Sequence, residues 1–142
     1  MPIRTEIVSQ DRIVYQGDAD MVVLPGIDGV MGILPNHSPV LTALQYGIIT
    51  VRLKGEEYYF TVAGGFVEVQ PDQVTVLADA AENVAEIDVA RAEAAKTRAE
   101  EMLKEGIPSD QDRYLMIQAA LRRSTLRIDA VRRYQQGRRS RG

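Results

Sequence analysis

Few side chains in this sequence carry chemistry, and most of those that do are arginines. There is one histidine, His37, and no cysteine among 142 residues. That excludes a thiolate nucleophile, a disulfide framework, a thiolate zinc site and any metal site built on two or three imidazoles. His37 lies in Gly32-Ile33-Leu34-Pro35-Asn36-His37-Ser38-Pro39. No paired carboxylate or nucleophile stands at catalytic spacing, so it reads as a loop histidine that orders a turn or a subunit contact, not as a general base. Gly26, Gly29 and Gly32 recur three apart, a spacing that invites comparison with a phosphate loop, but no lysine follows and Pro35 and Pro39 oppose the helix such a loop needs. That stretch reads as a β-turn region. Neither catalytic residues nor metal ligands emerge.

The arginines are another matter. Residues 113–142 hold nine of them against a single acid, Asp129, a local charge of +8 in a chain of net charge −3. Residues 1–84 carry −7 and residues 85–142 carry +4. A block of this kind makes a positive field that seeks an anionic partner, unless it is only a solvated, solubilising helix face.

The elements that must position these groups divide at about residue 85. Eight of eleven glycines and five of six prolines precede it. Short apolar runs between turn residues predict strands at 3–8, 12–15, 19–24 and 47–53, then at 58–63 and 66–69 on either side of Gly64-Gly65, and at 74–77. Eight or so strands without a long helical pattern predict a β-sandwich or flattened barrel over 1–84. From Ile87 the chain is rich in alanine, glutamate and arginine. Asp88 is the expected N-cap of a helix running to about Lys104 and stopping at Gly106-Ile107-Pro108. Ser109 with Asp112 predicts the start of a second helix reaching about Tyr134, followed by a frayed polar tail from Gln135. Ile117, Ala120, Leu121, Ser124, Ile128 and Val131 fall on one of its faces. The predicted fold is thus a two-domain β + α chain: the sandwich at 1–84, then an antiparallel helical hairpin at 85–142.

The hairpin has a thin core. Its first helix offers Ala92, Ala95 and Ala99 with Met102 and Leu103. At ~0.8 kcal/mol per buried CH₂, alanine adds little beyond close approach. Two such helices are marginal without a partner or ligand, which makes the hairpin a natural bistable element. No apolar run approaches the ~20 residues that span a bilayer, and the N-terminus lacks signal-peptide order, so membrane association is expected through partners alone.

Three ordered segments resemble one family. They are Gly32–Pro39, Val62-Ala63-Gly64-Gly65-Phe66-Val67-Glu68-Val69 and Ile87-Asp88-Val89-Ala90-Arg91-Ala92. Nearly the whole chain resembles the epsilon subunit of F-type, proton-translocating ATP synthase. The resemblance implies a sandwich that docks on the gamma subunit and the membrane c-ring, with Ile33, Leu34, Val40 and Leu41 as candidate gamma contacts. It implies a mobile hairpin that inhibits ATP hydrolysis when extended, its Arg122, Arg123, Arg127, Arg132 and Arg133 meeting the beta subunits beside the alpha subunits. It implies no catalytic residues in this chain and no required cofactor. The implied location is peripheral, on the cytoplasmic side of the cell membrane. Ile87-Asp88-x-x-Arg91-Ala92-x-x-Ala95-x-x-Arg98-Ala99 also resembles the pattern of ATP-binding epsilon subunits. By that resemblance the ATP-binding set is Glu82, Ile87, Asp88, Arg91, Ala92, Arg98, Arg123 and Arg127, with ATP as a regulatory ligand. The spacing suits the role: Asp88 and Arg91 are one turn apart, Ala92 and Ala95 leave room for a flat purine, and Arg123 and Arg127 can grip phosphates. The competing readings are an Arg-rich nucleic-acid-binding module and, weakest, a stand-alone enzyme. An acidic first domain with no evident aromatic stacking surface weighs against nucleic acid.

Overall fold

The computed structural model describes the backbone of residues 1–141 and the side chains of residues 1–135. The chain divides into two compact units, Met1–Ala85 and Glu86–Gly142. In the first, eight strands follow one another: β1 (Ile3–Val8), β2 (Ile13–Ala19), β3 (Met21–Gly26), β4 (Gly29–Ile33), β5 (Val40–Leu53), β6 (Glu56–Val69), β7 (Gln73–Ala78) and β8 (Ala81–Asn83), with a 3-10 turn at Val84–Glu86. They form a β-sandwich from one continuous sheet in the order β2-β1-β7-β6-β5-β3-β4, with β8 also paired to β6. The β1–β7 pair is parallel and the others are antiparallel. Alternate residues turn inward, as the two-residue strand period requires. Ile3, Ile7, Val22, Leu24, Ile49, Val51, Phe60, Val62, Val67, Val74 and Val76 make a core with at most 1% exposure each.

Two local expectations are corrected, and a third is sharpened. Gly64-Gly65 does not separate two strands: β6 runs through both, with φ of 88° and 127°, conformations that only glycine adopts cheaply. The bend is where β6 passes from pairing with β8 (Phe60, Thr61, Val62) to pairing with β7 (Gly65 to Val69). β5 starts at Val40 and not Gly47, so the β5–β6 hairpin has two 14-residue arms. The Pro25–Gly32 turn region is a hairpin, β3–β4, closed by the Gly26–Gly29 pair around Ile27-Asp28. After it, His37 lies in a loop where its Nδ1 meets the Ser38 carbonyl at 2.7 Å. A carbonyl can only accept, so that nitrogen carries the proton and the ring orders a turn.

The second unit holds α1 (Val89–Lys104) and α2 (Gln111–Arg141). Asp88 caps α1: its Oδ1 accepts from the Arg91 backbone N–H at 3.1 Å. Gly106, at φ 116°, turns the chain out of α1. Asp110, not Ser109, caps α2, accepting from the Asp112 N–H at 3.0 Å. The polar stretch expected to fray from Gln135 has helical backbone as far as Arg141, while its side chains from 136 lie outside the described residues. Ala92 and Ala99 of α1 are buried, as are Ile117, Ser124, Ile128 and Val131 of α2. Ser124 satisfies its hydroxyl on the Ala120 carbonyl at 2.8 Å. Removing the first cap should loosen α1 selectively. Asp88→Ala is expected to cost about 1 kcal/mol and to speed amide exchange in the first turns of α1 about fivefold, with the β-strand amides unchanged.

Candidate functional site

The hairpin is where chemistry-bearing side chains gather. An apolar groove of about 330 Å³ runs between α1 and α2, lined by Ala95, Ala99 and Met102 on one side and Met116, Ile117 and Ala120 on the other, with Arg98 and Arg113 also on its wall. Small side chains create it, because three alanines facing each other across a helix pair leave a slot that leucines would fill. Extending its lining along each helix finds the remaining arginines. On α1, Arg91 stands one turn before Ala95, on the stripe Arg91-Ala95-Arg98-Met102. On α2, Arg123 and Arg127 follow Ala120 on the stripe Met116-Ala120-Arg123-Arg127. In antiparallel helices both directions lead to the same end, away from the turn. That end carries Arg91, Arg123 and Arg127, and the turn end carries Met102 and Met116 with Arg113.

The sequence-predicted residues distribute as follows. Asp88, Arg91 and Arg98 sit on or at the start of α1, Arg123 and Arg127 on α2, and Ile87 lies just before the cap. Arg91, Arg98 and Arg123 are exposed and Arg127 is half-buried. Ala92 is 3% exposed, so of the two alanines read as leaving room for a purine only Ala95 faces the groove. Glu82 belongs to β8 of the sandwich unit, paired in register with Thr61. The Asp88 carboxylate is engaged in capping, so the Asp-x-x-Arg spacing sets where the Arg91 backbone begins its helix. Arg122, Arg132 and Arg133 are exposed, the last two further along α2 than the stretch facing α1. Arg113 and Met116 are groove residues that no sequence signal singled out, whereas Met102, expected in the hairpin core, lines the groove instead.

Of the candidate partner contacts on the sandwich, Leu34 and Leu41 are 56% and 70% exposed, and Val40 is partly buried against the core. Ile33 is 0% exposed and belongs to the core itself, so its side chain offers nothing to a partner: a correction. The larger apolar surface was missed. Ala43, Phe66, Leu77, Val8 and Ile13 are consecutive register partners across β5, β6, β7, β1 and β2, all on the outer face. Five strands at ~4.8 Å spacing make this row about 19 Å long. Phe66, Leu77 and Ile13 are 57%, 58% and 59% exposed, and Leu41 extends the patch diagonally from Phe66. A contiguous exposed apolar patch of this kind marks an interaction face.

Elsewhere the polar groups are structural. Tyr15 packs its ring on Phe60 (centroids 5.4 Å apart), donates to the Asp18 carbonyl at 2.9 Å, and has its phenol pushed up chiefly by burial, then by Tyr58 and Asp18. Among the described residues no three His, Asp or Glu side chains cluster to hold a metal, and no helix is long and apolar enough to cross a membrane.

Comparison with known proteins bears on what these surfaces serve. Residues 2–84 match the family described as ATP synthase, Delta/Epsilon chain, beta-sandwich domain, and residues 85–132 match the same chain's long alpha-helix domain. The chain is 45% identical over 132 residues to the ATP synthase epsilon chain of Dehalococcoides mccartyi, covering 89% of each. With the epsilon chain of Herpetosiphon aurantiacus it shares 42% over 132 residues, covering 93% of this chain and 96% of the relative. With that of Moorella thermoacetica the figure is 45% over 131 residues. Its fold is similar to a chain of the mitochondrial ATP synthase of Euglena gracilis, with a TM-score of 0.72 at 22% identity over 85% of this chain and 76% of that one. None of these matches lends support to a nucleic-acid-binding module.

Proposed function

The chain belongs to the delta/epsilon chain family of ATP synthase, as an epsilon chain, and on that premise we propose that its helical hairpin is an ATP-responsive arm and its sandwich a docking module for the rotor. The observation that carries the first half is the basic end of the hairpin groove. Arg91 of α1 and Arg123 and Arg127 of α2 lie on the two helix stripes that lead to that end, with Arg98 on the groove wall before it, and the first helix buries only Ala92 and Ala99. An anion with several charged oxygens would bridge the two helices through guanidinium forks and supply attraction that the thin apolar contact lacks. A ligand that binds only the closed hairpin stabilises it in proportion to ln(1 + [L]/Kd). High ATP therefore holds the hairpin closed, and low ATP releases it to inhibit hydrolysis. In the released state the exposed Arg122, Arg132 and Arg133, with Arg123 and Arg127, meet the beta and alpha subunits.

The second half rests on the outer row. An apolar stripe of five strands' width extended by Leu41 suits a packed protein interface, and within this family we assign it to the gamma subunit and the c-ring. The protein is then held at the cytoplasmic side of the membrane by its partners. Each buried large apolar side chain contributes ~1.5–3 kcal/mol. Replacing the central pair by Phe66→Glu with Leu77→Glu removes two of them and buries two charges. Co-purification of the double variant with the remaining stalk subunits is expected to fall more than about 100-fold, with its own melting temperature little changed because both side chains are exposed in the free chain. Retention of the variant at parental levels would assign the docking to another face.

A further inference from the structure

We propose that the turn end of the hairpin groove, which shares Arg98 with the residues assigned to ATP, is a second ligand site that takes a small amphiphilic anion with an unbranched apolar body and one carboxylate. This goes beyond the nucleotide reading and does not depend on it. The stretch from Ala95 to Met102 gives a slot about 10 Å long. At about 330 Å³ it lies within the ~300–1,000 Å³ size range of small-molecule sites. Its floor is Ala95, Ala99, Ile117 and Ala120, with no polar side-chain atom. Its walls are Met102 and Met116, 43% and 72% exposed, whose unbranched thioethers can fold over an occupant. Two guanidiniums, Arg98 and Arg113, complete the lining, and no carboxylate does.

Each alternative occupant conflicts with one of these features. A purine would bury its polar edge against alanine and methionine, which offer it no hydrogen bonds. A partner helix needs more than two turns of groove. A second copy of the hairpin would bring Arg98 and Arg113 against their own counterparts, a like-charge juxtaposition. An acyl chain has nothing to satisfy along its body, and its single charged end finds a donor on each helix. Arg113 also sits near the start of α2, where the helix dipole favours negative charge, and the Asp110 carboxylate is occupied in capping.

Methionine is a built-in reporter. The chain has five, of which Met102 and Met116 line the groove and Met1, Met21 and Met31 belong to the sandwich unit. The experiment titrates the full-length chain, labelled at the methionine methyls, with decanoate kept below its micelle range. The Met102 and Met116 signals are expected to shift saturably while Met21 and Met31 stay. Arg113→Ala should weaken binding about tenfold. Ala120→Leu should abolish it by filling the slot with helix content retained. Decanol should bind about tenfold more weakly than decanoate, and acetate should not bind. Arg91→Ala, at the other end, should bind decanoate as the parent does. The proposal is overturned if all five methyls move together, if Arg113→Ala and decanol behave as parent and decanoate, or if Arg91→Ala loses decanoate as strongly as Arg113→Ala. Should Ala120→Leu unfold the hairpin, the Arg113 and decanol arms still decide. ATP titrated into the same samples separates the two readings, since decanoate binding without ATP binding refutes only the nucleotide site, and the reverse refutes only this one.

Discussion

Titrating the full-length chain with ATP is expected to give saturable heat that Arg91→Ala and Arg123→Ala each weaken by about 10- to 100-fold, the equivalent of ~1.5–3 kcal/mol for a lost charge-assisted contact. The two residues come from different helices, and that makes the test sharp. If the ligand bridges α1 and α2, losing either guanidinium should damage both affinity and closure; if it lies along one helix, only one variant should matter. Lys104→Ala, at the far end of α1, controls for simple loss of positive charge. A dynamic consequence accompanies the heat. At about a hundredfold excess over Kd the closed hairpin gains ~2.7 kcal/mol, so exchange of the buried α1 and α2 amides should slow about a hundredfold while sandwich amides hold steady. The two readouts must agree, since both report one linkage. No heat at millimolar ATP, or heat unaffected in both variants, would end the nucleotide reading and leave the arginines as a face for subunit contact.

Much of this was legible in the residues, for a physical reason that differs between the two units. Helix limits are written locally: Asp88 caps α1, and Gly106 with Pro108 ends it, because caps and left-handed turns depend on a few adjacent residues. The misassigned cap at Ser109 shows how fine the margin is, for Asp110 offers the same kind of oxygen one residue later. The inward face of α2 was readable from its 3.6-residue spacing. Strand continuity was not, because Gly64-Gly65 has the same composition whether it ends a strand or bends one, and only the partners decide: β8 on one side, β7 on the other. Ile33 and Leu41 illustrate a second limit. Both are apolar and close in sequence, yet one is core and one is 70% exposed, since which face of a strand points inward depends on the register of the whole sheet. The outer row was invisible for the same reason: Ala43, Phe66, Leu77, Val8 and Ile13 are scattered over sixty-odd residues and meet only through cross-strand pairing. The groove was half visible. Its alanines stand in the α1 pattern, but Arg113 and Met116 reach it only once the antiparallel register of the helices is set.

The bend in β6 carries the largest expected stability effect in the chain. A Cβ placed on Gly65 would collide with the Leu77 carbonyl oxygen and stand 2.8 Å from the Ala78 Cα, both backbone atoms of the paired strand that cannot rotate away. Its φ of 127° adds the strain of a conformation that side chains rarely adopt. Gly55 supplies the comparison, since it too has positive φ, at 80°, but nothing lies within 4 Å of its virtual Cβ. Gly55→Ala should therefore cost only the conformational part, ~1 kcal/mol. Gly65→Ala should cost on the order of 3 kcal/mol or more, lowering the melting temperature of the sandwich by more than about 10 °C. The functional consequence follows from what the bend aligns. Gly65 pairs with Ala78 and delivers Phe66 opposite Leu77, the centre of the exposed row. If β7 moves away to admit a methyl, that pair separates before the sandwich melts. At temperatures where Gly65→Ala is still folded, its association with the stalk subunits should already be weaker than that of Gly55→Ala. Equal melting temperatures for the two variants would show that the sheet yields at the bend, and the row would then be set by another part of β6.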